Sequence, residues 1–185
     1  MRQLLQRYAP VVRFIFTFLG TYLLLAFLYN VYLQNYESAI YYPDYLTHLV
    51  AVQSEVVVSA FGYNSEVTPG FPESNMHLKV NGFFVARIIE GCNAASVIIL
   101  FVSFMLAFSG KIKTTFYFTL AGTVIIYVTN ILRIAFMGIG IYELPEYAHF
   151  LHSIAFPLVI YGVVFLLWVL WIIIYTKEII HEGSL

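Results

Sequence analysis

The chain has 185 residues, of which 61% are hydrophobic and only 10% charged, whereas a soluble domain is nearer half apolar and a quarter charged. A net charge of −1 gives no basis for nucleic-acid binding or a polybasic surface, and a single cysteine excludes an internal disulfide, a CxxC redox pair and a cysteine-rich zinc site. The class that remains is an all-α integral membrane protein, with Tyr residues suited to a membrane–water boundary.

One membrane domain over residues 1–185 is expected, with about four transmembrane helices, because four uncharged runs approach the roughly 20 apolar residues a span needs. The first, residues 14–36, is too long for the apolar region of a signal peptide and no A-x-A site follows it, so it reads as a retained anchor. Residues 37–90 are the one sizeable polar segment. Within it, "PDYLTHLVAVQSEVVVSAF" predicts an amphipathic helix on or dipping into the bilayer, with Asp44 as its N-cap. "GYNSEVTPGFPES" is turn-rich, and "MHLKVNGFFVARII" predicts a β-hairpin around Asn81-Gly82. The remaining spans are residues 91–110, 114–142 (uncharged over 114–132) and 153–176.

Lys and Arg set the orientation. Arg2, Arg7, Arg13, Lys111, Lys113 and Lys177 fall on one side of a four-span arrangement, and eight of the ten acidic residues fall on the other. The N-terminus is therefore expected in the cytoplasm and the 37–90 segment on the outer face.

Three chemically capable residues then approach the same outer level. Cys92 lies 19 residues before Lys111, roughly 28 Å of helix, and Arg133 lies 20 residues after Lys113, roughly 30 Å. His152 opens the last span, 25 residues before Lys177, roughly 37 Å and so somewhat high. Arg133 is the only charge between Lys113 and Glu143, and a guanidinium near lipid costs about 2.5 kcal/mol or more without partners. It either snorkels to the interface or faces the bundle interior, with Asn130 one turn back to orient it and Glu90 or Glu143 as counter-charge. A lone buried Cys is usually a small hydrophobe. Cys92, however, is expected at a helix N-terminus, where free N–H groups favour a thiolate, although Glu90 opposes this. His149, one turn before His152, is its rival as acid–base; His48, His77 and His181 read as solvated or structural. Thiol, imidazole and guanidinium together are the minimum set for acyl transfer, with no cofactor and no metal called for.

At "EGCNAAS", "TNILRIAF" and "HFLHSIAFPLVIYG" the chain resembles the exosortase/archaeosortase family, membrane-embedded cysteine enzymes proposed to act as transpeptidases. The resemblance covers roughly residues 80–165 and falls on Cys92, Arg133 and His152 as catalytic residues. Many members continue Cys-Ser-Gly or Cys-Ala-Gly where this chain has Cys92-Asn93-Ala94, and many have about eight spans; the short form is similar to the F-type exosortases of flavobacteria and their relatives. The resemblance implies a bacterial inner-membrane enzyme with its active site facing the periplasm. It implies substrates with a C-terminal sorting signal: a short motif, a transmembrane helix and a basic tail. Cys92 would form a thioester that water, a lipid or a glycan resolves. The competing expectation is a non-enzymatic scaffold or assembly subunit in which Arg133 pairs with a partner helix. A carrier or channel fits worst, because the spans hold no mid-bilayer acid.

Overall fold

The computed structural model describes the backbone of residues 2–36, 41–108 and 110–182, and the side chains of residues 8–36, 41–108 and 110–176. The side chains of the expected anchors Arg2, Arg7 and Lys177 lie outside the described residues, as does that of His181. The chain is mostly helical. Helix α1 (Arg2–Asn35) leads to α2 (Tyr45–Ala60), then strands β1 (Ser65–Pro69), β2 (Asn75–Val80) and β3 (Phe83–Ile89). A 3₁₀ turn at Glu90–Cys92 opens into α3 (Ala95–Ala107), followed by α4 (Ile112–Glu143). A 3₁₀ turn at Pro145–Tyr147, the single turn α5 (Ala148–Phe150) and a π-helical turn at Leu151–Ala155 then run into α6 (Phe156–Glu182).

Among the described residues three helical stretches are long and apolar enough to cross a membrane: Tyr8–Asn35, Ile112–Glu143 and Pro145–Thr176. The expected fourth span, residues 91–110, is a correction. Its helix α3 has only 13 residues, about 20 Å, short of a hydrocarbon core of about 30 Å. Backbone conformation sets its limits. Ala94 takes a left-handed conformation (φ 65°), so the helix starts at Ala95, and Phe108 (φ −111°, ψ 46°) closes it.

Between the first and third helices stands the small cap. Asp44 caps α2 as its sequence suggests, Oδ1 accepting from Leu46 N at 3.0 Å and Thr47 N at 3.1 Å. Helix α2 buries Thr47, Val50, Ala51, Ser54 and Val58, a stripe at helical spacing turned toward α4 and the sheet. The expected two-stranded hairpin is one half of a three-stranded antiparallel sheet in the order β1-β2-β3. Val80 pairs with Phe83 across Asn81-Gly82, whose φ angles of 51° and 82° suit a tight hairpin turn. Two apolar clusters result. The outer one joins Val50 and Val58 of α2, Met76, Leu78 and Ile88 of the sheet, and Ile134 and Met137 of α4. The inner one joins Phe101 and Met105 of α3, Ile126 of α4, and Ile160 and Trp171 of α6.

Candidate functional site

The site grows from four residues, Cys92 to Ala95. Asn93, 3% exposed, has its side chain fully committed. Its Oδ1 accepts from Ala95 N at 2.9 Å, while its Nδ2 donates to Tyr29 Oη at 2.6 Å and to Thr47 Oγ1 at 3.1 Å. The Tyr29 hydroxyl in turn donates to the Glu90 carbonyl at 3.4 Å. One amide therefore ties α1, α2 and the start of α3 together beside the thiol. A buried amide with unmet hydrogen-bonding capacity is costly, so this knot holds the neighbouring backbone in one geometry.

Cys92 is free and half-buried, packed against the outer cluster. It does not sit in the first turn of α3, as the sequence suggests, but ends the 3₁₀ turn ahead of it. The cap position, Ala94, offers no side-chain acceptor to that first turn. The Cys92 carbonyl accepts from Asn130 Nδ2 of α4 at 2.6 Å. Asn130 is itself 2% exposed. The bond sets Cys92 level with Asn130, one turn of α4 from Arg133.

Arg133 is partly buried, and its Nε is buried with no hydrogen-bond partner. The counter-charges expected of it are a correction. The ion pairs among the described residues are Lys79–Glu66 and Arg87–Glu73, and neither Glu90 nor Glu143 reaches Arg133. Glu143 instead accepts from the Tyr63 hydroxyl at 3.0 Å. Asn130 engages the Cys92 backbone rather than orienting the guanidinium. Burial, reinforced by Asp44 nearby, raises the Glu90 carboxyl above its ordinary carboxylate value. Asp44 is 1% exposed, and its second oxygen, Oδ2, has no partner.

His152 is exposed and lies in the π-helical turn ahead of α6. Two contacts place it along α4. A methyl at Gly140 would touch Leu151 Cδ1 at 3.0 Å, and Phe118 packs on Trp171 with ring centroids 5.1 Å apart. The helices are thus antiparallel with His152 opposite Ile139, roughly 9 Å further along α4 than Arg133. One turn beyond His152, Phe156 packs against the same outer cluster as Cys92. The turn of Cys92 and the turn of Arg133 are joined, and His152 stands beyond them, open to the surroundings. His149 is exposed as well, another turn out.

A recess of about 220 Å³ between α1 and α3 is lined by Tyr29 and by Ser96, four residues after Cys92. A larger cavity of about 500 Å³ lies at the opposite end of these helices, around Arg13 and Ala107, away from the thiol. Among the described residues no group of three His, Cys, Asp or Glu side chains is placed to hold a metal ion. Sequence reading missed Tyr29 and Thr47 and marked Asn93 only as a departure from the family's Cys-Ser-Gly or Cys-Ala-Gly. Their partners are 46 and 64 residues apart, and the one local signal is a lone Asn at the edge of an apolar run. Comparison with family models, curated proteins and solved structures gave no match to this chain.

Proposed function

We propose that this chain is a membrane-embedded cysteine transpeptidase or protease of the exosortase type. The observation that carries the reading is the Asn130–Cys92 hydrogen bond, which joins the only thiol to the helical turn bearing a partly buried, unpaired guanidinium. A guanidinium whose Nε is buried and which pairs with no carboxylate among the described residues is costly to keep without a ligand to receive it. Ala94 adds support. Many members of the family have Gly at this second position after the Cys, from which this chain departs, and here the backbone is left-handed, the conformation that glycine adopts without strain.

In the proposed reaction the Cys92 sulfur attacks the carbonyl carbon of a substrate's sorting signal, and His152, which stands apart from the thiol in this structure, is brought within hydrogen-bond reach by substrate binding and takes the thiol proton. The Arg133 guanidinium stabilises the oxyanion. The C–N bond breaks, His152 returns the proton to the leaving amine, and the tail helix departs, leaving a thioester on Cys92. A lipid or glycan nucleophile, or water, then attacks the thioester and restores the thiol. The reading includes a bacterial inner membrane, a cytoplasmic N-terminus and a periplasmic site. The recess beside Tyr29 and Ser96, with a mixed polar and apolar lining, gives a departing helix a flank to lie against.

The test is processing of a membrane-anchored substrate with such a tail by purified variants. Cys92→Ala is expected to lower the rate about a thousandfold or more, and Arg133→Ala and His152→Ala about a hundredfold, with folded protein retained. Full processing by Cys92→Ala sinks the proposal. The unpaired Arg133 also favours a second reading, a scaffold whose guanidinium meets an acidic residue of a partner helix. Under it Cys92 is dispensable, and Arg133→Glu abolishes co-purification of the partner.

A further inference from the structure

The geometry points to the free edge of β3 as the strand-binding site for the substrate's extended segment, an inference that rests on the transpeptidase reading. Strand β3 is the last strand of the sheet, paired on one side only, with β2. Among the described residues no other element bonds to the Phe83–Ile89 backbone. Unpaired edge groups are a ready template for another strand, and globular proteins usually blunt or cover them. The opposite edge is blunted at its two ends. Strand β1 ends in Pro69, which has no N–H, and Ser65 Oγ donates to the Glu55 carbonyl of α2 at 2.9 Å.

The chain runs from β3 into the 3₁₀ turn of Cys92 with no intervening loop. A strand laid along β3 is therefore aimed at the thiol. Beside the start of β3 a cavity of about 440 Å³ is lined by Phe83, Phe84 and Val85 and, across it, by Ile141, Tyr142 and Pro145. Along the chain, Pro145 of this cavity is followed by α5 and then by the turn of His152, as β3 is followed by the turn of Cys92. Phe83 and Phe84 are 66% and 53% exposed, more than the fold alone asks of two aromatic rings.

Polarity follows. The substrate runs from its motif toward its membrane helix, and β3 runs from the cavity toward the membrane end of the sheet, so the added strand is parallel. Past the cavity-lining Phe83, Phe84 and Val85, the strand residues Ala86, Arg87, Ile88 and Ile89 at about 3.3 Å each and one 3₁₀ turn lead to Cys92. The cavity therefore takes an apolar side chain about six residues ahead of the scissile bond. Backbone pairing supplies the affinity and this single aromatic pocket the selectivity.

The test uses the full chain with Cys92→Ala in detergent micelles. The probe is an acetylated peptide of about ten residues, alternating threonine and valine, with one phenylalanine near its N-terminus. Amide shifts and slowed exchange are expected at alternate residues of Ala86–Ile89, past the bulge at Val85. N-methylation of every second peptide nitrogen is expected to weaken binding about tenfold or more in one parity and less than about twofold in the other. Phe83→Asp is expected to weaken binding about tenfold with an unchanged thermal midpoint. Absence of binding, equal loss in both parities, or shifts on β1 or the long helices overturns the inference. Because binding is read without the thiol, the two proposals fail separately. Binding as described without processing by the wild type sinks only the transpeptidase, and processing indifferent to N-methylation and to Phe83→Asp sinks only the strand site.

Discussion

Ala94 shows how much one backbone angle decides. An L-residue in the left-handed region costs about 1–2 kcal/mol, while the Ala94 methyl, 4% exposed, recovers about 0.8 kcal/mol by burial. Ala94→Gly is therefore expected to hold or slightly raise the thermal midpoint. Ala94→Val, β-branched at a positive φ, is expected to lower stability by about 2 kcal/mol or more, read by thermal unfolding in detergent. If Val is tolerated as well as Gly, the strained conformation does not hold in solution. The expected helix over residues 91–110 failed at this residue, because hydropathy counts greasy side chains and is blind to φ. Cys92 and Arg133 stood out in the sequence as the lone thiol and an isolated charge in an apolar stretch. Asn93 did not, because its role exists only once Tyr29 and Thr47 have been brought to it.

Elements specified by local chemistry were readable: the Asp44 cap and the Asn81-Gly82 turn each act within four residues. Strand β1 was not. "SEVTP" is too short and too polar to announce itself, and it becomes a strand by pairing with β2, Ser65 opposite Val80 and Pro69 opposite Met76. The contact between α3 and α4 was equally hidden. Gly122 presents bare backbone to the ring of Phe101, which is fully buried, and a Cβ there would collide with the ring. Gly122→Ala is expected to cost about 1–3 kcal/mol and to loosen α3, because an aromatic ring walled in on all sides has little room to retreat. An unchanged thermal midpoint for Gly122→Ala would show that the two helices pack less closely than this.

Three long apolar helices make the molecule a membrane protein, and composition alone foretold that. The site was only partly legible, because it is assembled from α1, α2, α3 and α4, and no local pattern encodes that meeting. Glu90 carries a pH consequence for the whole fold. Its carboxyl is raised in the folded state, by burial first and by Asp44 second, so the native protein holds this proton more tightly than the unfolded chain. Stability from this group is full below the ordinary carboxylate value and is lost as pH rises through the folded value. Glu90→Gln should match the wild type at about pH 4 and exceed it at about pH 7 in thermal midpoint. Equal midpoints at both would remove the burial argument. Orientation is checked through the single cysteine, half-exposed and unambiguous as a label. A membrane-impermeant thiol reagent added outside intact cells with a permeabilised outer membrane is expected to modify Cys92. Modification only after inner-membrane lysis would invert the proposed topology.

The amide of Asn93 gives α1 a role beyond anchorage. Because the Tyr29 hydroxyl completes the shell around that amide, the first helix is a structural part of the proposed site. Supplied as a separate peptide to a chain lacking it, this helix would have to re-form the knot before the thiol was held in place. Activity in such a split protein would then report assembly of the site rather than mere insertion into the bilayer.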